Sequence, residues 1–175
     1  QSILNLLSQR VFDKNLKLIM DYSPELSKIL IGDEGRIRQI ITNLVGNSEK
    51  FTLNGSIRVE VSRSSQDASL VEIAVCDTGI GIPDNKLEKI FEGFSQVNAS
   101  SNRVFGGTGL GLAIASDLAG LMGGDIQVRS EIGKGSRFTF RCPLEAVENS
   151  RMALHLTDEA PFELIYPELA QADSD

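Results

Sequence analysis

Two pairs of alternating apolar runs are joined too tightly to admit a helix between them, which restricts the chain to a sheet with antiparallel neighbours. Ile57, Val59 and Val61 alternate with polar residues, Val71, Ile73 and Val75 recur at every second position of a largely apolar run, and only the polar loop Ser64 to Ser69 separates the two. Ile126/Val128 and Phe138/Phe140 repeat the pattern across Gly133-Lys134-Gly135. A period of two places such side chains on one face of each strand, and a parallel crossover needs about a dozen residues or more. Leu16, Leu18, Met20 and Tyr22 predict a further strand, ended by Pro24.

Between these runs the period changes to that of a helix. Ile3, Leu4, Leu6 and Leu7 predict a short amphipathic helix, and Asp33 can cap a long one with an apolar face of Ile37, Ile40, Ile41, Leu44, Val45 and Phe51. Asn85 to Phe91 reads as a short helix and Leu110 to Met122 as a longer one. The expected fold class is α+β: a two-layer α/β sandwich with a mixed, largely antiparallel sheet and helices packed on one face. At 175 residues and 41% hydrophobic, the chain suffices for one domain with its own core. That domain is expected over residues 1–143. Residues 144–175 carry Glu145, Glu148, Asp158, Glu159, Glu163, Glu168, Asp173 and Asp175 and read as an acidic linker or tail. The segment Gly93 to Gly107 is polar and has neither period; a loop of that length points to a functional lid or to disorder.

Seventeen basic against 24 acidic residues give a formal charge of −7, which disfavours nonspecific binding to nucleic acid or anionic lipid. Cys76 and Cys142 sit in strand-like surroundings without CxxC spacing, so buried free thiols are expected. The chain shows neither a signal peptide nor an apolar run of about 18 residues. It opens at Gln1 without a methionine, and a larger membrane receptor is its expected parent.

The residues suited to chemistry fall on three elements. Asn43, Asn47 and Lys50 are spaced by four and three on the long helix and share a polar face beside the apolar stripe. Taken alone, such a face is most simply a solvated shoulder. Asp77 follows an apolar strand and precedes Thr78-Gly79-Ile80-Gly81, where a carboxylate suits an amino-group donor but equally an Asx-turn. Gly79 and Gly81 would let the backbone pass close to a flat base, or serve an unusual backbone angle. Gly106-Gly107-Thr108-Gly109-Leu110-Gly111-Leu112 stands directly before a helix, where free N–H groups and the helix dipole favour phosphate oxygens. The GxxxxGK[ST] loop and the GxGxxG fingerprint are both missing, as is the motif set of serine/threonine kinases.

Together these strings resemble one family. Asn43 to Thr52 is similar to the N box of histidine kinases, Asp77 to Gly81 to their G1 box, Ile90 to Gln96 to the F box and Gly107 to Leu112 to the G2 box. The boxes occur in the family's order, and Gly133 to Phe140 fits its closing segment; the match covers roughly residues 10 to 143. The resemblance implies a Bergerat-type ATP-binding fold, shared with gyrase, mismatch-repair ATPases and a heat-shock chaperone. It implies that Asn47 and Asn43 hold Mg²⁺, that Lys50 approaches the phosphates, and that Asp77, with Gly79 and Gly81, takes the adenine. Gly107, Thr108, Gly109, Leu110 and Gly111 would shape the phosphate lid, with Arg103 as an extra phosphate contact. The implied activity is that of a sensor kinase of the hybrid kind, in which the γ-phosphoryl group of Mg-ATP passes to a histidine on a separate dimerisation region. The implied partners are that region and a downstream receiver domain, in a homodimeric parent at the inner membrane with this domain in the cytoplasm.

Glu49 stands where the family usually has an apolar residue, and Gly93 where it usually has proline. Glu49 lies roughly 160° round the helix from Asn47, near Val45 at the core margin, where burial is costly unless the charge is paired. The alternatives are a degenerate regulatory ATP-binding module, a serine kinase, anti-sigma or chaperone-type ATPase, and a ligand-free interaction domain. His155 is the only histidine; it lies past the last hairpin strand, between Leu154 and Leu156, and is not expected to accept phosphate.

Overall fold

The computed structural model describes Val11 and residues 13–27, 30–93 and 109–146. Chain order is β1 (Lys17–Tyr22), β2 (Leu30–Ile31), α1 (Glu34–Phe51), β3 (Ser56–Arg63), β4 (Leu70–Asp77), α2 (Asp84–Leu87), a 3-10 turn (Lys89–Phe91), α3 (Gly111–Leu121), β5 (Asp125–Glu131), β6 (Gly135–Pro143) and β7 (Glu145–Ala146). The main sheet runs β1-β3-β4-β6-β5. Every pair in it is antiparallel except β1 with β3, whose crossover contains α1. The tight joins at 64–69 and 132–134 therefore make hairpins, and the one parallel pair occurs where the chain has room for a helix.

The core is one set of facing rows. Val59, Val75 and Phe138 stand in register across β3, β4 and β6, as do Val61, Ile73 and Phe140. All are buried, and they meet Ile40, Leu44 and Val45 of α1 and Ala115 and Ala119 of α3 on the same side of the sheet. Phe138 and Phe140 are fully buried, each worth about 2–3 kcal/mol of transfer free energy.

The opposite face carries charged pairs: Arg58 with Asp21, Arg141 with Asp125, and Arg137 with Glu60 at 2.6 Å. Arg137 lies opposite Cys76, and Glu60 opposite Ala74. The Arg137–Glu60 pair therefore spans β4, and Ala74 is left only 1% exposed.

Three expectations are corrected. The helix over Asn85 to Phe91 is a single α turn followed by a 3-10 turn, in keeping with a stretch that buries only Ile90. Cys142 is buried, but Cys76 is half-buried on the charged face, where Arg137 Nη1 donates to its Sγ at 3.0 Å. Leu144 belongs to the core, and Glu145–Ala146 pairs with β2, so the ordered fold continues past residue 143. The short helix expected at residues 3–7 lies outside the described residues.

Candidate functional site

α1 forms because its ends are capped as well as its stripe buried. Asp33 Oδ1 accepts from the Arg36 N–H at 3.0 Å, and the Ser48 carbonyl accepts both the Thr52 N–H at 3.0 Å and the Thr52 hydroxyl at 2.7 Å. The helix carries Asn43, Asn47 and Lys50 as expected, with all three half-buried.

Asn43 faces the start of α3: a Cβ built on Gly111 would stand 3.7 Å from its Cγ. Gln39 Nε2 donates to Asn43 Oδ1 at 3.2 Å, while Asn43 Nδ2 is buried without a partner among the described residues. Lys50 Nζ lies 5.0 Å from the centroid of the Phe51 ring. Glu49 points elsewhere, pairing with Lys14 at 3.0 Å; the core-margin charge is paired, and it stays out of the Asn43 and Asn47 face.

Asp77 is placed by the period of β4. Val71, Ile73, Val75 and Asp77 share the core face, and in register Asp77 stands between Ile57 and Ser136. It is 8% exposed. Its Oδ1 accepts the Gly79 N–H at 2.9 Å and the Ser136 N–H at 3.2 Å, and its Oδ2 accepts the Ser48 hydroxyl at 3.1 Å. Burial pushes the Asp77 carboxyl up from its ordinary value, and these donors oppose the shift. The Asx-turn reading is therefore correct as far as Oδ1 goes. Oδ2, with one donor, keeps acceptor capacity for another.

The glycines of the turn answer mainly to protein backbone. The Phe51 carbonyl accepts the Ile80 N–H at 3.2 Å, and a Cβ on Gly79 would come within 2.5 Å of that same oxygen. Gly81 has φ +72° and lies against the β5–β6 hairpin, where a Cβ would meet the Glu131 carbonyl oxygen at 2.1 Å. Ser130 Oγ accepts the Ile82 N–H at 2.8 Å and donates to the Gly135 carbonyl at 2.9 Å, fastening the turn to the hairpin.

The third element enters at Gly109, whose φ is +71°, then Leu110 and Gly111 at the start of α3. Among the described residues no side chain caps this helix, so the first-turn N–H groups are left to other acceptors. Gly93 stands beside Leu110, with 3.8 Å from a built Cβ to Leu110 Cδ2. Arg103, Gly107 and Thr108, the rest of the expected lid and His155 lie outside the described residues.

Sequence reasoning missed Ser48, Ser136 and Gln39. Ser48 had a signal: it follows Leu44 by four and Val45 by three, so it falls on the buried stripe, where a hydroxyl needs a partner. Ser136 acts through its backbone, which no side-chain pattern announces.

Among the described residues there is no group of three or more His, Cys, Asp or Glu that could hold a metal. A cation here would take amide oxygens from α1 and the remaining oxygens from its ligand and water.

The family model described as histidine kinase-, DNA gyrase B-, and HSP90-like ATPase matches residues 32–146. The chain is 42% identical over 149 residues to the signal transduction histidine-protein kinase BarA of Escherichia coli, covering 84% of this chain and 16% of that protein. It is 41% identical over 142 residues to hybrid signal transduction histidine kinase B of Dictyostelium discoideum, covering 80% and 7%. It therefore spans a small part of the curated relatives it matches. Among solved structures, full-length ShkA in complex with AMPPNP aligns with a TM-score of 0.73 at 35% identity, over 84% of this chain and 29% of that one. The nucleotide-free catalytic domain of histidine kinase ThkA aligns with a TM-score of 0.65 at 27% identity, over 81% and 88%.

Proposed function

The chain belongs to the histidine kinase-, DNA gyrase B- and HSP90-like ATPase family, and from that membership we propose that it is the ATP-binding catalytic domain of a hybrid sensor histidine kinase, transferring the γ-phosphoryl group of Mg-ATP to a histidine on a separate dimerisation region. The observation that carries this reading is Asp77: a buried carboxylate in no ion pair among the described residues, held by neutral donors with Oδ2 still able to accept. An uncompensated buried charge is costly, and such groups cluster at functional sites. The 6-amino group of adenine is a fitting donor for it.

Asn43 and Asn47 suit Mg²⁺, a hard cation that takes few protein ligands and keeps phosphate and water oxygens. Gln39 takes one of the two acceptor positions of Asn43 Oδ1, and among the described residues the other is left for a cation. When bound, Mg²⁺ neutralises charge on the phosphates. The chain's own part is positioning: Asp77 fixes the base, the uncapped N–H groups at Gly111 and beyond favour phosphate oxygens, and Lys50 supplies positive charge if it leaves the Phe51 ring. Gly107, Thr108 and Arg103 complete the proposed lid.

The partners proposed are a histidine-bearing two-helix region, which makes the parent a homodimer, and a downstream receiver domain. No described helix is long and apolar enough to cross a membrane; a cytoplasmic position below an inner-membrane sensor is part of the proposal. Glu49, paired with Lys14, gives no support to a degenerate regulatory module.

The test is to incubate the domain with Mg²⁺, γ-labelled ATP and the parent's two-helix region. Acid-labile label on the helical histidine, lost with Asn47→Ala, is expected. An ATP-loaded pair that takes up no label would contradict the kinase reading and leave the regulatory module.

A further inference from the structure

Ser48 lies in α1 immediately after Asn47 and is 0% exposed. A serine inside a helix commonly returns its hydroxyl to the carbonyl one turn back. Here the hydroxyl crosses to another element and donates to Asp77 Oδ2 at 3.1 Å. The starting point of that hydroxyl is fixed, because the Ser48 carbonyl is bound by both the N–H and the hydroxyl of Thr52.

The acceptor count at Asp77 gives this bond its consequence. An ionised carboxylate offers about two acceptor positions on each oxygen. Both on Oδ1 are taken, by the N–H groups of Gly79 and Ser136. Ser48 takes one on Oδ2. Among the described residues one acceptor position is left, and the rotation of the carboxylate that would redistribute the four is opposed by donors on both oxygens. A single directed acceptor matches a single N–H of an exocyclic amine.

We infer that Ser48 is a positioning residue for base selection: by occupying one side of Asp77 Oδ2 it aims the other at the amino group of the nucleotide base. This rests on the proposed ATP reading. Ser48 is 0% exposed behind Asp77 and acts on the base only through it. Its effect is transmitted through the carboxylate and should appear only with nucleotides that have an amino group for that carboxylate to meet.

The experiment compares ATP with purine riboside triphosphate, which lacks the 6-amino group, by isothermal titration with Mg²⁺ against the wild-type domain, Ser48→Ala, Ser48→Cys and Ser48→Thr. The expected result is that Ser48→Ala weakens ATP by about five- to tenfold, the net scale of one ordinary hydrogen bond, and changes purine riboside triphosphate less than about twofold on the same scale. Ser48→Thr, which keeps the hydroxyl, retains the preference for ATP. Ser48→Cys fills nearly the same volume with a weak donor, should fall between, and gives the comparison if Ser48→Ala does not fold. A purely structural serine would weaken both nucleotides alike or neither. Equal losses, or an ATP affinity untouched in Ser48→Ala, with a wild type that binds ATP, overturns this inference alone. A wild-type domain that binds no ATP overturns the ATP reading itself, and the inference with it.

Discussion

At the scale of the residue, Asp77 sets fold stability against ligand recognition. Burial raises its carboxyl, so the folded state holds that proton more tightly than the unfolded chain does. Its stabilising contribution is then full below the unfolded pKa and lost as pH rises through the folded one. Near neutral pH the charged form burdens the apo fold, while an amino-group ligand needs that charge. Asp77→Asn should resolve the conflict in favour of stability: Oδ1 still takes the Gly79 and Ser136 N–H groups, and the new amide can donate to the Ser48 hydroxyl. The apo melting temperature at pH 7 is expected to hold or rise, with ATP affinity down about tenfold or more; a large drop in melting temperature would contradict this account of the site. In the wild type, ATP affinity measured against pH should fall on acidification at a pH above the ordinary aspartate value. A midpoint at or below that value would mean that Asp77 is not the group read. Asp77 was legible in the sequence because it extends the Val71, Ile73, Val75 alternation by one step. Gln39 carried a signal that went unused: it precedes Asn43 by four on α1, the spacing at which side chains meet on one helix face.

At the scale of the element, glycines separate into those the fold requires and those it tolerates. Gly81, with positive φ and the Glu131 carbonyl 2.1 Å from a built Cβ, has no room for a side chain. Gly81→Ala should cost about 2 kcal/mol or more in chemical denaturation. Gly46, inside α1, would place a Cβ in open space, so Gly46→Ala should stabilise by roughly 0.5–1 kcal/mol. If the two variants proved equally destabilised, the packing of the turn between α1 and the hairpin would be wrong. The long elements were readable from period and caps: α1 begins at its Asp33 cap and α3 spans nearly the expected range. The stretch after Pro83 was not, because an apolar pattern so short cannot distinguish an α turn from a 3-10 turn.

At the scale of the whole molecule, hairpin joins led from sequence to the correct layer arrangement, because loop length limits which strands can pair. The β2–β7 pair escaped notice. Two residues long on each side, it has no period to detect, and it forms only because the folded core brings the two segments together. The same scale governs phosphoryl transfer, which needs an acceptor nitrogen aligned with the terminal phosphorus. The isolated domain is therefore expected to bind ATP without labelling His155, checked by acid-labile label on the domain alone. The central claim is that Mg-ATP binds between α1 and the start of α3 with its base on Asp77. Isothermal titration of Mg-ATP into the wild-type domain and into Asp77→Asn tests it most directly. Saturable one-to-one binding to the wild type and a loss of about tenfold or more in a folded Asp77→Asn are the predicted result; equal affinity for the two proteins, or no binding to the folded wild type, would contradict it.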